Sequence, residues 1–435
     1  RAASVAAADP QPAAVSRSSS SSSSGRRRGK RLSSNNKSPS AEFSVSKLLK
    51  EITVVHPVEL QPPVGSGFIT PLRHYQKQSL AFMVDTEKKS NRGGWLADEV
   101  GMGKSAIVLA LVASNPAGPK SLGEKDQIND VLDEFKQREA KKKQIEEAHD
   151  ATIAKLRGKY KPDDPDETIE DEKERDREYW KRRHNCEWEE DKEYQIMEKE
   201  IKKIPPIKDR VKLKPTIILT SVSLIGQWED EAKKHSPGLV VKTFHNSRSR
   251  EEHNIKIKKK DQTVIHGLND VDIIISSSTF NWPEVVTQCF DFHRVVHDES
   301  HLLVNGGASA KLSCANLIKG KLRWGVTATP ATSSVRDLDR QLEFIRLGHE
   351  LSSSFGSHVG SSPSAIELDK LKDAIFLLHR YPAKESFNRL SNLLKTFMVR
   401  HTKSQRINGS EALALPPSTT STVMLTMSKY EDEAF

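Results

Sequence analysis

The sequence predicts an α/β protein with a mostly parallel sheet, and two observations support this class. After residue 214, five short runs rich in β-branched residues occur in succession: TIILTS, VVKTF, VDIIIS, HRVVHDE and LRWGVTAT. Each is bounded by polar turns and followed by a segment able to form a helix, which is the pattern of βαβ units with both sheet faces covered. Further upstream, the apolar run GGWLA leads through a glycine-rich loop into the helical segment SAIVLALVAS.

The composition favours a partner that carries negative charge. The chain has 435 residues, enough for two or three domains, and a formal net charge of +9. This excess is typical of proteins that bind nucleic acid, although a basic tail on a neutral domain would account for part of it. The cysteines, Cys186, Cys289 and Cys314, lack paired zinc-type spacing, so we expect a reducing compartment without disulfides or structural zinc. No apolar run is long enough to cross a bilayer, so we expect no membrane partner.

Residues 1–66 are predicted to form a disordered Ser/Arg-rich tail. The chain starts with Arg, which indicates a processed form or a piece of a longer protein. Residues 1–34 are rich in Ala, Ser and Arg and almost free of acid, as organellar transit peptides are. The cluster GRRRGKR at residues 25–31 equally fits a nuclear-import signal. We expect a nuclear protein, with an organelle as the alternative.

Order is predicted to begin near Phe68, where the segment FITPLRHYQKQSLAFMVDTE starts. Its apolar residues have the spacing of an amphipathic helix: Leu72, Tyr75, Leu80, Phe82 and Met83. We assign residues 67–114 to the first part of a globular lobe and residues 211–349 to its second part. Residues 350–435 are predicted to be a helical extension leading towards a second lobe.

Residues 115–210 differ in character, and we expect a charged helical insertion that projects from the lobe. Ile128, Val131, Leu132 and Phe135 keep the i, i+3, i+4, i+7 spacing of one apolar helical face. The remaining residues are highly charged, which is more typical of a solvated face than of a binding site. A protein partner on this insertion is the alternative.

The loop DEVGMGKS, between GGWLA and SAIVLALVAS, has the composition of a phosphate-binding loop. Gly101 and Gly103 would let backbone N–H groups point at phosphate oxygens, and the following helix adds its positive N-terminus. Lys104 would reach the β- and γ-phosphates, and Ser105 would hold Mg²⁺ through its hydroxyl. The general pattern has glycine where this chain has Asp98. A glycine-flanked GKS in an ordinary turn is the alternative.

The segment HRVVHDESH adds a second element of the same chemistry. It is a buried strand that ends in two adjacent acids. Asp298 is placed to bind Mg²⁺, and Glu299 is placed to polarise an attacking water as general base. A DE pair that only solvates a loop is the alternative. With the glycine-rich loop upstream, the two elements predict a nucleoside triphosphatase.

Seven blocks occur in a fixed order between Leu72 and Lys403: LRHYQKQ, LADEVGMGKS, TIILTSVSLIGQWEDE, IIISSSTF, HDESH, RWGVTATP and FMVRHTK. This order resembles the first motor lobe of the Swi/Snf family of DNA-dependent ATPases, in helicase superfamily 2. The resemblance implies a RecA-like three-layer lobe that uses ATP and Mg²⁺ and acts on double-stranded DNA, with chromatin as a further partner. SLIGQWEDEAKKH is most similar to the branch of the helicase-like transcription factor and RING-bearing repair translocases.

The resemblance also implies roles that residue chemistry alone leaves open. Gln76 matches an adenine-reading glutamine, although without the family it would be a surface residue of an amphipathic helix. His301 matches a residue that connects the hydrolysis site to the TATP block. The remaining positions match blocks that contact the DNA backbone (Ser223, Trp228, Ser277, Ser278 and Thr279) or couple DNA to hydrolysis (Thr327 and Thr329). Helix capping by the serines and threonines is the alternative.

Three features bear on how closely the chain follows this family. TATPATSS stands where the family usually has TGTP followed by an isoleucine-glutamine-asparagine run. The insertion before TIILTS is long for the family. The acid at position 98 follows the family, which places DE-x-G-x-G-K there, so we assign no catalytic role to Asp98 or Glu99.

The sequence thus predicts the ATP-binding lobe of a DNA translocase that acts in chromatin remodelling or DNA repair. An arginine from a second lobe would stabilise the transferring phosphate, so this segment alone should hydrolyse ATP poorly. Two other functions stay open. One is an ATP-dependent scaffold that recruits partners through the insertion, and the other is a strand-separating superfamily-2 helicase.

Overall fold

One parallel sheet organises the part of the chain that the computed structural model describes, namely residues 43–53, 56–89, 93–118, 125–159, 172–207, 209–244, 267–303, 314–350, 363–414 and 421. Its seven strands within these residues are β1 Gly93–Leu96, β2 Val211–Thr220, β3 Val241–Phe244, β4 Ile273–Ser277, β5 Phe290–Asp298, β6 Lys319–Val326 and β7 Met398–Val399. They lie in the order β3-β4-β2-β5-β6-β1-β7, and each neighbouring pair is parallel. A small antiparallel hairpin follows, formed by β8 Arg406–Ile407 and β9 Ser410–Glu411.

Helices cover both faces of the sheet. The α-helices of six or more residues in the described part of the chain are α1 Val45–Glu51, α2 His74–Lys88, α3 Lys104–Ser114, α4 Lys125–Lys159, α5 Glu172–Lys203, α6 Ile225–His235, α7 Glu284–Cys289, α8 Asp337–Glu350, α9 Pro363–Arg380 and α10 Lys384–Phe397. Alternate strand residues enter different apolar clusters: Ile217 and Val295 pack with α7 to α10, and Ile218 and Val296 pack with α2, α3 and α6. The predicted α/β class with a parallel sheet is therefore confirmed.

The carboxyl ends of the strands meet at one edge of this sheet, because all of its neighbouring strands run in the same direction. The last strand residues at this edge are Leu96, Thr220, Phe244, Ser277, Asp298, Val326 and Val399. Every block proposed above to touch nucleotide or DNA, apart from the Gln76 block, follows one of these residues. Parallel α/β sheets place their ligands at this edge.

The region predicted as a disordered tail contains a packed helix. Leu48, in the middle of α1, and Ile52, just after its end, are each 1% exposed and belong to one of the two main apolar clusters. The ring of Phe43 lies 6.1 Å from that of Phe387 on α10. The predicted boundary at residue 66 is therefore wrong, because a seven-residue helix is too short to show a clear period in the sequence. The basic cluster at residues 25–31 lies outside the described residues.

Helix α2 is buried on most of its surface and is not simply amphipathic. Leu80 and Met83 are fully buried, as the apolar spacing predicts. However, Gln76, Ser79 and Glu87 are also buried. These polar side chains make hydrogen bonds to other elements of the lobe, so their polarity does not mark a solvent-facing side.

Glu87 and Arg294 form a buried ion pair between α2 and β5. Both side chains are 0% exposed, and Arg294 Nε and Nη2 donate to the two Glu87 oxygens at 2.6 and 2.7 Å. The indole nitrogen of Trp324 and the amide nitrogen of Asn115 donate to the same carboxylate at 2.9 and 2.7 Å. The carboxylate is thus compensated by four hydrogen bonds, and the pair fixes α2 against the sheet.

We predict that Glu87→Gln lowers the free energy of unfolding by about 3 kcal/mol, because it leaves the Arg294 guanidinium buried without a counter-ion. Urea denaturation of the purified protein measures this change. The control is Asp85→Asn, which breaks the exposed pair with Lys89 and should cost less than about 1 kcal/mol. Equal losses in the two variants would show that the buried pair has no special role.

The first turns of α4 in the insertion pack against the core of the lobe, and the rest of α4 pairs with α5 as a helical hairpin. Ile128, Val131 and Leu132 are at most 4% exposed and join an apolar cluster of the lobe, as their spacing predicts. Helix α4 has 35 residues, a length of about 50 Å. Further along, Arg157 donates to both oxygens of Glu190 at 2.8 and 2.9 Å and so joins α4 to α5. None of the described helices has the length and apolar character that a membrane span requires.

Residues 363–401 belong to the lobe and do not form an extension from it. Helices α9 and α10 pack in the same apolar cluster as β2 and β5. Strand β7 then lies beside β1, with Met398 opposite Trp95 and Val399 opposite Leu96. The predicted division at residue 350 is therefore wrong. A two-residue strand has no alternation that the sequence could reveal.

Candidate nucleotide-binding and coupling site

The loop after β1 turns back through two glycines with left-handed backbone. Gly101 has φ 81° and Gly103 has φ 75°, and Gly103 is the N-cap of α3. A Cβ at Gly103 would lie 2.6 Å from Nε2 of Gln76, a side-chain end that can move, so it is the left-handed backbone that favours glycine there. The first N–H groups of α3 follow directly after this turn. The loop thus has the backbone form that binds phosphate at a helix N-terminus.

Lys104, the first residue of α3, turns its ammonium group back over the loop. Nζ donates to the carbonyl oxygens of Asp98 and Glu99 at 3.0 and 3.2 Å. Burial lowers the pKa of Lys104, and the negative charges of Asp98, Glu299 and Asp298 partly oppose this effect. The loop lysine and the two acids after β5 are therefore close enough to interact electrostatically, although about 200 residues separate them in the chain.

Asp298 is the last residue of β5, and both of its carboxylate oxygens accept hydrogen bonds. Oδ2 accepts hydrogen bonds from Thr220 Oγ1 at 3.2 Å and from the Trp228 indole nitrogen at 2.8 Å. Oδ1 accepts from the backbone N–H of Glu299 at 3.0 Å. These contacts orient the carboxylate from two neighbouring elements, β2 and α6.

Trp228 does not face solvent, so the predicted DNA contact of its side chain is wrong. The residue is 2% exposed and lies on the buried side of α6 with Ile225 and Ala232. This side is apolar at the i, i+3, i+4 spacing of a helix packed on a sheet. Its indole N–H, the one polar group of the side chain, donates to Asp298. Trp228 therefore orients the carboxylate predicted to bind Mg²⁺.

We predict that Trp228→Phe raises the Mg²⁺ concentration needed for ATP turnover about tenfold, because one hydrogen bond to an ionised carboxylate is lost. Affinity for duplex DNA should not change. Turnover of the full-length protein is measured in a Mg²⁺ titration, with Trp282→Phe as a control at another buried tryptophan. Weaker DNA binding with an unchanged Mg²⁺ requirement would support the DNA contact instead.

Glu299, His301 and Thr327 form a continuous contact from the acid pair to the TATP turn. Nδ1 of His301 lies 3.2 Å from Oε2 of Glu299 and 2.9 Å from Oγ1 of Thr327. The Thr327 hydroxyl oxygen also accepts from the backbone N–H of Thr329 at 3.1 Å. Glu299 has φ 49°, a left-handed conformation that non-glycine residues rarely adopt and that occurs often at functional sites. The geometry supports the coupling role predicted for His301.

Gln76 is a buried residue whose side chain joins the start of α2 to the glycine-rich loop. It is 9% exposed; Oε1 accepts from the backbone N–H of Arg73 at 2.9 Å, and Nε2 donates to the Met102 carbonyl at 3.2 Å. The alternative of a surface residue is therefore wrong. Its adenine-reading role stays a prediction.

The hydroxyl residues predicted to contact DNA divide into exposed and buried sets. Ser223 and Thr279 are exposed at the carboxyl edge. Ser277 is 3% exposed, and its oxygen accepts from the backbone N–H of Thr279 at 3.2 Å, so it shapes the turn. Ser278 is 7% exposed and its N–H donates to the Thr220 carbonyl at 2.8 Å. Direct contact with a phosphate backbone is therefore best supported for the exposed hydroxyls.

Sequence reasoning missed a further group at this edge, formed by Asp98, Arg400 and His401. Asp98 is 0% exposed and accepts from the backbone and ring nitrogens of His401 at 2.7 and 2.9 Å. About 300 residues separate these partners in the chain, so no local spacing could reveal the contact. The one signal in the sequence was Asp98 itself, an acid before the glycines at a position where the general phosphate-loop pattern has glycine.

A parallel sheet with a lysine-bearing glycine loop after one strand and an Asp-Glu pair after another defines a nucleoside-triphosphate-binding α/β protein. Over residues 75–435, the sequence matches the family described as SNF2-related domain. The chain belongs to this family, and the predicted Swi/Snf relationship is confirmed.

Several curated proteins and one solved structure are similar to this chain. Transcription termination factor 2 of Drosophila melanogaster is 23% identical over 373 residues, covering 84% of this chain and 27% of the relative. A putative SWI/SNF-related regulator of chromatin, subfamily A member 3-like 1, of Arabidopsis thaliana is 22% identical over 347 residues, 79% of this chain and 31% of the relative. DNA repair protein RAD5A of Arabidopsis thaliana is 25% identical over 227 residues, 50% of this chain and 20% of the relative. The Sulfolobus solfataricus SWI2/SNF2 ATPase core in complex with dsDNA matches with 17% identity and a TM-score of 0.40, over 80% of this chain and 47% of that chain.

The chain thus spans less than a third of the length of these curated relatives.

Proposed function

We propose that this lobe binds and hydrolyses ATP as part of a DNA-dependent translocase that acts in DNA repair or chromatin remodelling. The observation that carries the proposal is the position of Lys104, Asp298 and Glu299 at the same edge of the sheet, at the carboxyl ends of the parallel strands β1 and β5. The exposed hydroxyls at the same edge suit a phosphate backbone, which is contacted without reading sequence. Membership of the SNF2-related family supports the same conclusion.

The residues of this edge fit a magnesium-bound nucleoside triphosphate. The Ser105 hydroxyl and the Asp298 carboxylate are the oxygen donors that Mg²⁺ prefers, and substrate phosphates would complete the shell. Among the described residues, no group of three or more His, Cys, Asp or Glu could hold a metal alone. When bound, Mg²⁺ neutralises the charge on the phosphates during transfer.

The side chains of the lobe have separate tasks in this proposal. Lys104 exchanges its two loop carbonyls for phosphate oxygens, which are stronger acceptors for an ammonium group. Glu299 accepts the proton of the attacking water. His301 and Thr327 connect that carboxylate with the TATP turn, so a DNA-induced shift of the turn would reach the general base. An arginine from the second lobe would complete the site.

Translocation on duplex DNA distinguishes this function from strand separation. We expect the full-length protein with ATP to displace the third strand of a DNA triplex and to leave a blunt duplex intact. Omission of ATP is the control. Unwinding of the blunt duplex would favour the superfamily-2 helicase. Absence of both activities, together with ATP binding, would favour the scaffold. We propose the nucleus as the location, since the relatives include DNA repair and chromatin proteins.

The insertion offers a surface for the scaffold function. Trp180 and Trp188 on α5 are 61% and 60% exposed, which is unusual for large aromatic side chains. Aromatic residues of this kind are enriched at protein interfaces. We propose that α5 binds a protein partner, and chromatin is the candidate consistent with the related regulators. Replacing both tryptophans with serine should weaken nucleosome binding and leave ATP turnover on naked DNA unchanged. Unaltered nucleosome binding would exclude this partner.

A further inference from the structure

The segment that follows β7 is attached to the phosphate-binding loop along its length. We call residues 400–403 the exit segment. The ladder between β1 and β7 continues beyond both strands: the Ala97 N–H donates to the Val399 carbonyl at 2.8 Å, and the Glu99 N–H donates to the His401 carbonyl at 3.1 Å. The backbone N–H of Lys403 donates to Oε2 of Glu99 at 2.9 Å. Hydrogen bonds therefore connect the loop to the exit segment at several positions.

His401 is the centre of this attachment. Its side chain and that of Asp98 are both 0% exposed. Oδ1 of Asp98 accepts from Nδ1 of His401 at 2.9 Å, while Oδ2 accepts from the Ser79 hydroxyl at 2.9 Å. Asp98 in turn supplies one of the two carbonyls that hold the Lys104 ammonium. The orientation of the loop lysine thus depends on a carboxylate that His401 fixes.

Arg400 connects the same unit to the TATP turn. Its Nη1 donates to the Ala97 carbonyl at 2.6 Å and to the Ala328 carbonyl at 3.0 Å. A Cβ built on Gly101 would lie 3.9 Å from Nζ of Lys403, which places a second ammonium group beside the loop. The exit segment therefore contacts the residue that follows β1, the loop itself and the coupling turn.

We propose that His401 is a positioning residue for nucleotide binding, and that the exit segment sets the geometry of the phosphate-binding loop. The inference rests on the proposed function of this site as an ATP site. Because Lys104 contacts phosphate both before and during the reaction, a displaced loop weakens ground-state and transition-state binding equally. Such a loss raises KM and leaves kcat nearly unchanged. A merely structural histidine would lower the amount of active protein and leave KM unchanged.

The test compares His401→Leu with His401→Asn in the full-length protein. Leucine removes the buried donor to Asp98, and we expect KM for ATP to rise about tenfold, the cost of one hydrogen bond to a charged group. Asparagine offers an amide N–H near the position of Nδ1 and should restore most of the affinity. The matched control is His235→Leu, since His235 is 8% exposed and bonded to Thr70 and Glu231. It should lower thermal stability and leave KM unchanged.

Calorimetric titration with Mg²⁺ and ATP separates this inference from the proposed function. If the wild-type protein binds ATP and His401→Leu binds it equally well, the positioning role is wrong and the ATP site stands. A tenfold rise in KM for His235→Leu as well would also overturn the role, since the effect would then reflect general destabilisation. If the wild-type protein binds no ATP, both proposals fail together.

Discussion

Glu299→Gln abolishes DNA-stimulated ATP turnover in the full-length protein and leaves ATP binding intact. The amide keeps the size of the side chain and cannot accept the proton of the attacking water. Loss of a general base typically costs about 10²- to 10⁴-fold in rate. Binding should be retained because the predicted phosphate and Mg²⁺ contacts belong to Lys104, Ser105 and Asp298. Single-turnover hydrolysis and equilibrium ATP binding measure the two properties separately.

The control for Glu299 is Glu198→Gln, a neutralisation at an exposed glutamate on α5 that should leave both properties unchanged. Glu299 also contacts His301, so the variant should be compared at saturating DNA, where a weakened link to the TATP turn has the least influence. Wild-type turnover in Glu299→Gln would assign the proton transfer to another group.

Lys104→Ala should weaken ATP binding about a hundredfold, because two charge-assisted contacts to phosphate are lost with the ammonium group. The fold should survive, since the hydrogen bonds of the Lys104 side chain within the described residues go to loop carbonyls of its own segment. Calorimetric titration with ATP and Mg²⁺ gives the affinity, and thermal unfolding gives the stability. Turnover should fall in parallel with binding at low ATP concentration.

Lys89→Ala is the matched control for Lys104, because Lys89 is an exposed lysine at the C-terminus of α2. It should bind ATP with wild-type affinity. Equal ATP affinity in Lys104→Ala and the wild-type protein would show that the glycine-rich loop is not the phosphate site.

The parts of the fold that could be predicted are those with a local period. The β-branched runs around Ile217 and Val295 showed buried strands, and the helical segments between them required parallel connections. From the parallel sheet it followed that residues after each strand meet at one edge. Lys104 and the Asp298–Glu299 pair could therefore be placed together from the sequence.

The parts that could not be predicted depend on contacts between distant segments. Strand β7 has two residues and gains its register from β1, so the sequence pattern assigned it to a helical extension. The family resemblance implied that Trp228 contacts DNA. In the structure, one face of α6 is buried against the sheet, and this burial directs the Trp228 N–H towards Asp298. From the sequence, Asp98 matched the family but received no structural role. Its partner His401 follows β7, a strand that the hydrophobic pattern of the sequence did not reveal.

ATP hydrolysis by the full-length protein, measured with and without duplex DNA, decides whether this lobe is part of a DNA-dependent ATPase. We expect slow hydrolysis without DNA and a rate at least about tenfold higher with saturating duplex, because the coupling turn reaches Glu299 through Thr327 and His301. The stimulation should disappear in Glu299→Gln. A hydrolysis rate that is the same with and without DNA would show that this lobe is not part of a DNA-dependent ATPase.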